Sequence, residues 1–135
     1  MPRFWHIVAL LSFFLAGHWQ FASTAVAESE TTEADKAGDE FFEKKIRPLL
    51  AANCFSCHGK EKTGGLSLES RAGMLAGGDS GTAVVLGKPN DSRLIQAVKY
   101  TDEELQMPPS ARMAEQDIAL LREWIERGAP WPETK

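Results

Sequence analysis

Five consecutive residues, Cys54-Phe55-Ser56-Cys57-His58, constrain this chain more than any other feature. Two thiols three positions apart, followed directly by an imidazole, form the attachment signature of c-type haem. Each thiol can make a thioether to a porphyrin vinyl group, and the adjacent histidine ligates the iron. These are the only two cysteines in the chain, so no other thiol is left for a structural disulfide. Of the three histidines, His6 and His18 fall in an apolar N-terminal stretch, which leaves His58 as the only imidazole beyond it.

That N-terminal stretch has the three parts of a secretory signal. Arg3 supplies the positive end, Ile7 to Ala16 is an apolar run broken only by Ser12, and Ala25-Val26-Ala27 is an A-x-A cleavage site followed by Glu28. No cysteine lies near the cleavage point, so a lipid anchor is not indicated. An uncleaved anchor is the rival reading, but His6, Ser12, His18 and Gln20 interrupt the apolar span. We read residues 1–27 as a signal peptide and expect a periplasmic or otherwise exported protein with no membrane span after cleavage. Export agrees with the motif, because c-type haem is attached outside the bacterial inner membrane.

The remaining chain is one small domain with a modest core, which a buried haem would enlarge. Whole-chain net charge is −4, and Arg3 is the only charged residue of the first 27, so residues 28–135 carry −5 (14 basic against 19 acidic). This balance disfavours nucleic-acid binding and suits a redox partner with a basic docking surface. Residues 28–38, polar and acidic, read as a flexible linker, with order beginning near Asp39. Asp39 is then a helix cap, and Phe42, Ile46, Leu49 and Leu50 form an amphipathic stripe that Pro48 should kink or end close to the cysteines. A short helix is expected from about Ser70 to Ala76. The run Gly77-Gly78-Asp79-Ser80-Gly81 is a tight loop with a structural role, because it lacks the lysine and spacing of a phosphate loop. Ala83 to Leu86 reads as extended, and Asp91 or Ser92 should cap a helix presenting Leu94, Ile95 and Val98. The clearest helix runs from about Glu115 to Arg127, with Ile118, Leu121, Trp124 and Ile125 on one face and Gly128 as its stop. The fold class is mainly α: residues 39–132 as a small helical domain round one covalent haem, and 133–135 as a tail.

A six-coordinate iron needs a second axial ligand, and no histidine remains. Beyond Met1 the methionines are Met74, Met107 and Met113. Met113 has a packing role as the N′ half of a hydrophobic staple with Ile118, if Ala114 is the cap. Met74 lies in a short helix, where packing is the default. Met107 precedes Pro108-Pro109 in a polar segment with little else to pack against. The prolines stiffen the loop, and a stiff loop is what a weak thioether ligand requires. The alternative is a surface methionine in a turn.

The chain from about Phe41 to Trp131 resembles the planctomycete-type cytochrome c domain, a branch of the class I cytochrome c fold. The matching residues are Phe42 to Leu50, Cys54-x-x-Cys57-His58-Gly59, Gly64-Gly65-Leu66-Ser67-Leu68, Gly77 to Gly81, Met107-Pro108-Pro109, and Trp124-Ile125 through Gly128 to Pro132. The resemblance implies thioethers at Cys54 and Cys57, proximal ligation by His58, distal ligation by Met107, and first and last helices that cross and pack. In many relatives such a domain opens a much longer protein. Here the chain runs three residues past Pro132, which fits a free-standing carrier or a shortened larger architecture.

Haem carries the redox chemistry and the protein tunes it, so the expected function is single-electron transfer by a monohaem cytochrome. Catalysis is not expected, since protein ligands on both axial positions keep substrate from the iron. Phe55, Leu66, Leu68, Leu94, Ile95 and Val98 are pocket candidates. His58 should donate its other ring nitrogen to a carbonyl between Gly64 and Leu68. Arg71 and Arg93 are solvated charges by default and propionate partners by alternative. The competing function is a haem-based sensor or peroxidase-like enzyme with an open sixth site. A thiol oxidoreductase would need a βαβ pattern that is not found, and zinc would need ligands the chain lacks.

Overall fold

The structure, a computed structural model, describes residues 32–132. The signal-peptide reading of residues 1–27 and the tail 133–135 lie outside the described residues. Helix begins six residues before Asp39, inside the stretch read as a linker: α1 spans Glu33–Phe41. Its start is a reciprocal cap. Thr32 Oγ1 accepts the Asp35 N–H at 3.2 Å, and the Asp35 carboxylate accepts the Thr32 N–H at 3.0 Å. Two otherwise orphaned donors are satisfied, which a purely compositional reading of the stretch overlooks. Gly38 is the contact point with the rest of the fold, since a Cβ there would come within 2.9 Å of the Pro130 ring.

From α1 the chain runs without a break through one π turn (Phe42–Ile46) into α2 (Arg47–Asn53). In the π turn the Arg47 N–H reaches back to the Phe42 carbonyl. Pro48 has no N–H to give, and its ring would crowd the carbonyl four residues back. The wider turn just before it relieves that clash and lets the helix continue. The helix therefore ends at Asn53, directly before Cys54, and the stripe Phe42, Ile46 and Leu50 is fully buried.

Short elements follow: α3 (Phe55–His58), a 3₁₀ turn (Thr63–Gly65), α4 (Arg71–Ala76), a second 3₁₀ turn (Pro89–Asp91), and α5 (Arg93–Lys99). Ser70 caps α4, its Oγ accepting the Gly73 N–H at 3.1 Å. Ser92 stands at the start of α5 but does not cap it. Its buried hydroxyl accepts the Val85 N–H and donates to the Lys88 carbonyl, each at 2.9 Å, and so fixes the 85–88 turn. Residues 83–86 form no strand, and the described residues contain only a single bridge between Gly78 and Gly81.

The last helix, α6 (Glu115–Glu126), buries Ile118, Leu121, Trp124 and Ile125, the face read from the sequence. It ends in paired hydrogen bonds, the Gly128 N–H to the Ile125 carbonyl and the Ala129 N–H to the Trp124 carbonyl, both at 2.9 Å. This is the glycine-terminated helix end that Gly128 predicts. The face packs on the first helical run, with Phe42 and Trp124 ring centroids 5.9 Å apart and Trp131 closing over Phe42 at 4.3 Å. Met74 and Met113 are buried in the same core, Met113 alongside its staple partner Ile118. Full burial of side chains this size stabilises by about 1.5–3 kcal/mol each. Among the described residues no helix is long and apolar enough to cross a membrane.

Candidate functional site

The long N-terminal helix delivers the two cysteines and the histidine as a unit. Asn53 is its last residue, and Cys54 is the joint at which the chain turns into α3, which carries Cys57 and His58. The joint is pinned by the Cys54 N–H donating to the Leu50 carbonyl and the His58 N–H donating to the Cys54 carbonyl, both at 2.8 Å. Both thiols are free. Burial pushes the Cys54 thiol up to about 11, with Cys57 adding to the shift. A thiol held protonated at neutral pH is a poor nucleophile, the opposite of what thiol–disulfide exchange requires. No three His, Cys, Asp or Glu side chains converge on a common point among the described residues.

Cys54 and His58 form one wall of an apolar cleft of about 210 Å³. The facing apolar lining comes from Leu66, Leu68, Ala83, Leu94, Val98 and Leu105. Met107 lines it too. A second, adjoining hollow lies between Cys54, Cys57 and His58 on one side and Met107 to Ser110 on the other. Cys54, His58 and Met107 line both hollows and Cys57 lines the second, so all four sequence-derived site residues stand round this pair of hollows. Met74 and Met113 line neither part of it.

Two glycine-rich loops make the floor. The Asp79 N–H donates to the Gly64 carbonyl at 2.8 Å, and Gly78 lies so close that a Cβ there would sit 2.4 Å from that oxygen. The run Gly77 to Gly81 thus has the structural role its sequence indicates. The opposite rim is the segment 101–110, tied to the end of α5 by the Met107 N–H donating to the Ala97 carbonyl at 3.2 Å.

Three expectations need correcting. Phe55 and Ile95 do not line the cleft, because Ile95 is committed to the core and Phe55 packs against its edge. Ala83, Ala97 and Leu105 line it instead. Leu105 is the one apolar residue of a polar run before Met107, a signal that was available. The His58 Nδ1 is buried without a hydrogen-bond partner, contrary to the expected bond to a carbonyl of 64–68. That segment meets His58 in another way: Leu68 gives its N–H to the His58 carbonyl at 2.7 Å, and the Gly64 carbonyl is taken by Asp79. Arg93, read as a solvated charge, is half-buried and is the only Lys, Arg, Asp or Glu on the cleft wall. It joins none of the ion pairs formed among the described residues. Arg71 stands off the cleft.

The donor set fits a covalently held haem: two thiols and an imidazole on a short helix, an apolar cleft beside them, and a thioether on the far rim. The comparisons with known proteins point the same way. Residues 54–111 match the family described as Planctomycete cytochrome C. A relative from Stutzerimonas stutzeri, Cytochrome c55X, is 39% identical over 85 residues, which cover 62% of this chain. The matched region spans 66% of the length of that relative. No solved structure gives a significant match.

Proposed function

From the premise that the chain carries a cytochrome c-type domain, we propose that it is an exported monohaem cytochrome that passes single electrons between partner proteins. The observation that carries this reading is the shared cleft, on which His58 and Met107 meet although they are far apart in the sequence. Cys54 and Cys57 would hold one haem covalently, with His58 as proximal and Met107 as distal ligand. Bound there, haem supplies the one-electron couple, and a thioether ligand favours the ferrous form and raises the potential. The chain's own contribution is placement and exclusion. Leu66, Leu68, Leu94 and Val98 keep water from the cleft, and an apolar lining disfavours the additional charge of ferric iron. Arg93 is suited to pair with an anionic propionate. The acidic balance beyond residue 27 suits redox partners with basic docking surfaces.

One observation favours a second reading, an open-site sensor or peroxidase-like enzyme: Met107 is 39% exposed, unusual for a ligand meant to be shut in. Two measurements decide. Acid–acetone extraction of the mature protein should leave the haem with the polypeptide, and its mass should show one haem added to a chain beginning at Glu28. Carbon monoxide should bind the ferrous protein poorly at neutral pH. Ready binding would overturn the carrier reading in favour of the open site, and extractable haem would overturn covalent attachment.

A further inference from the structure

We propose that Tyr100 is a positioning residue for Met107, a clamp that holds the segment 101–110 over the cleft; this rests on Met107 being the distal ligand. Tyr100 is the single tyrosine of the chain and the residue at which α5 ends. Its backbone is left-handed, with φ 59, a conformation unfavourable for any residue with a Cβ. That turn sends the chain out into 101–110 while the half-buried side chain stays behind. Its hydroxyl donates to the Pro108 carbonyl, one residue beyond Met107.

Two further ties use the same helix end. The Met107 N–H donates to the Ala97 carbonyl at 3.2 Å, and Arg112 Nε donates to the Lys99 carbonyl at 3.2 Å. At this helix end the Lys99 carbonyl and the Ala97 carbonyl, which also takes the Tyr100 N–H, anchor the loop. Little else holds the loop. No residue from Thr101 to Arg112 is buried, and only Leu105, Gln106 and Pro108 are half-buried. Without a packed face, hydrogen bonds to α5 govern how often the segment lifts. A thioether is a weak ligand that water and external donors displace once the loop moves. Tyr100 supplies the one tie made by a side-chain hydroxyl to the main chain directly after Met107, so it can be deleted without altering the backbone.

The test uses mature ferric holoprotein titrated with imidazole, a probe for the iron site. Tyr100→Phe keeps the ring and removes the hydroxyl. Apparent imidazole affinity should rise about fivefold, the effect of one lost neutral hydrogen bond, while the weak red iron–thioether band persists. Trp124→Phe removes a distant tie, the Trp124 Nε1–H to the Pro130 carbonyl at 2.8 Å. It should lower stability without changing imidazole affinity, which separates positioning from general loosening. If Tyr100→Phe binds imidazole like wild type while Met107→Ala binds it far more tightly, the clamp is wrong and the ligand assignment stands. If wild type and Met107→Ala bind alike, the ligand assignment fails and the clamp falls with it.

Discussion

Replacing Met74, Met107 and Met113 by alanine, one at a time, tests the proposed ligand against two packing residues, because their burial differs sharply. Met74 is fully buried and Met113 is 5% exposed, both within the hydrophobic core. Methionine-to-alanine changes in such sites leave a cavity and cost about 2–5 kcal/mol. In a domain of this size each kcal/mol lowers the melting temperature by roughly 4–8 °C, so each variant should lose at least about 8 °C. Met107 is 39% exposed and outside the core. Full burial of a methionine stabilises by about 1.5–3 kcal/mol, and with about three-fifths buried its packing contribution is no more than roughly 1–2 kcal/mol. Thermal unfolding of the holoprotein by far-ultraviolet circular dichroism reads these costs. The ferric red band and ferrous carbon monoxide binding read ligation instead. Met107→Ala should keep most of the stability, lose the band, bind carbon monoxide readily and show a lower reduction potential. Met74→Ala and Met113→Ala should melt early with the band intact. A Met113→Ala protein that lost the band while Met107→Ala kept it would refute the assignment and move the ligand into the α6 staple.

Three further outcomes are expected. Gly78→Ala drives a Cβ to 2.4 Å from the Gly64 carbonyl, so the Asp79-to-Gly64 hydrogen bond must stretch or break; overpacking of this kind costs about 1–3 kcal/mol, and an unchanged urea midpoint would show that the two loops are not stitched as described. Hydrogen bonds from Thr32, Lys44 and Arg47 hold the Asp35, Glu40 and Glu43 carboxyls below their ordinary values. Depressed folded-state values give stability that is present above the ordinary carboxylate range near pH 4 and lost as pH falls through the lower folded values. Hydrogen exchange should therefore show the exposed start of α1 fraying before α6 on acidification, and uniform loss would contradict it. Arg93→Leu removes the free cation of the cleft and should lower the reduction potential by on the order of tens of millivolts, whereas Arg71→Leu, off the cleft, should leave a potentiometric titration unchanged.

The parts of this fold that were legible in the sequence are those where one residue type has one physical use. The burial of Ile118, Leu121, Trp124 and Ile125 follows from helical spacing, the stop at Gly128 from glycine's place at helix ends, and the packing of Met113 and Met74 from the staple with Ile118 and the default role of a methionine in a short helix. The convergence of Cys54, Cys57, His58 and Met107 follows from the motif and from the process of elimination among methionines. What was not read from the sequence rests on one local cap hidden in a polar stretch and on contacts made only in the folded chain. Helix through 33–38 requires the Thr32–Asp35 cap and the seat that Pro130 offers Gly38. Ser92 holds the Val85–Lys88 turn rather than its own helix, because burial places its hydroxyl between the Val85 N–H and the Lys88 carbonyl. Ile95 and Leu94 are neighbours on one helix, yet only Leu94 reaches the cleft. The sequence spacing placed both on an apolar face without saying what that face opposes.

The two sides of the cleft are held by unequal means, and this bears on both functional readings. His58 sits on α3, continuous with a helix whose Phe42, Ile46 and Leu50 are locked into the core against α6. Moving it means disturbing most of the buried surface. Met107 sits on a segment with no buried residue, held by three hydrogen bonds to one helix end. Local openings begin where few apolar contacts must be broken, so on the proposed ligation the distal side opens first while the proximal side and both thiols stay fixed. The closed carrier and the open-site protein then become two populations of the same loop, distinguished by the strength of its ties to α5. Carbon monoxide binding to the wild type measures that population directly, and Tyr100→Phe should shift it toward the open form without moving His58.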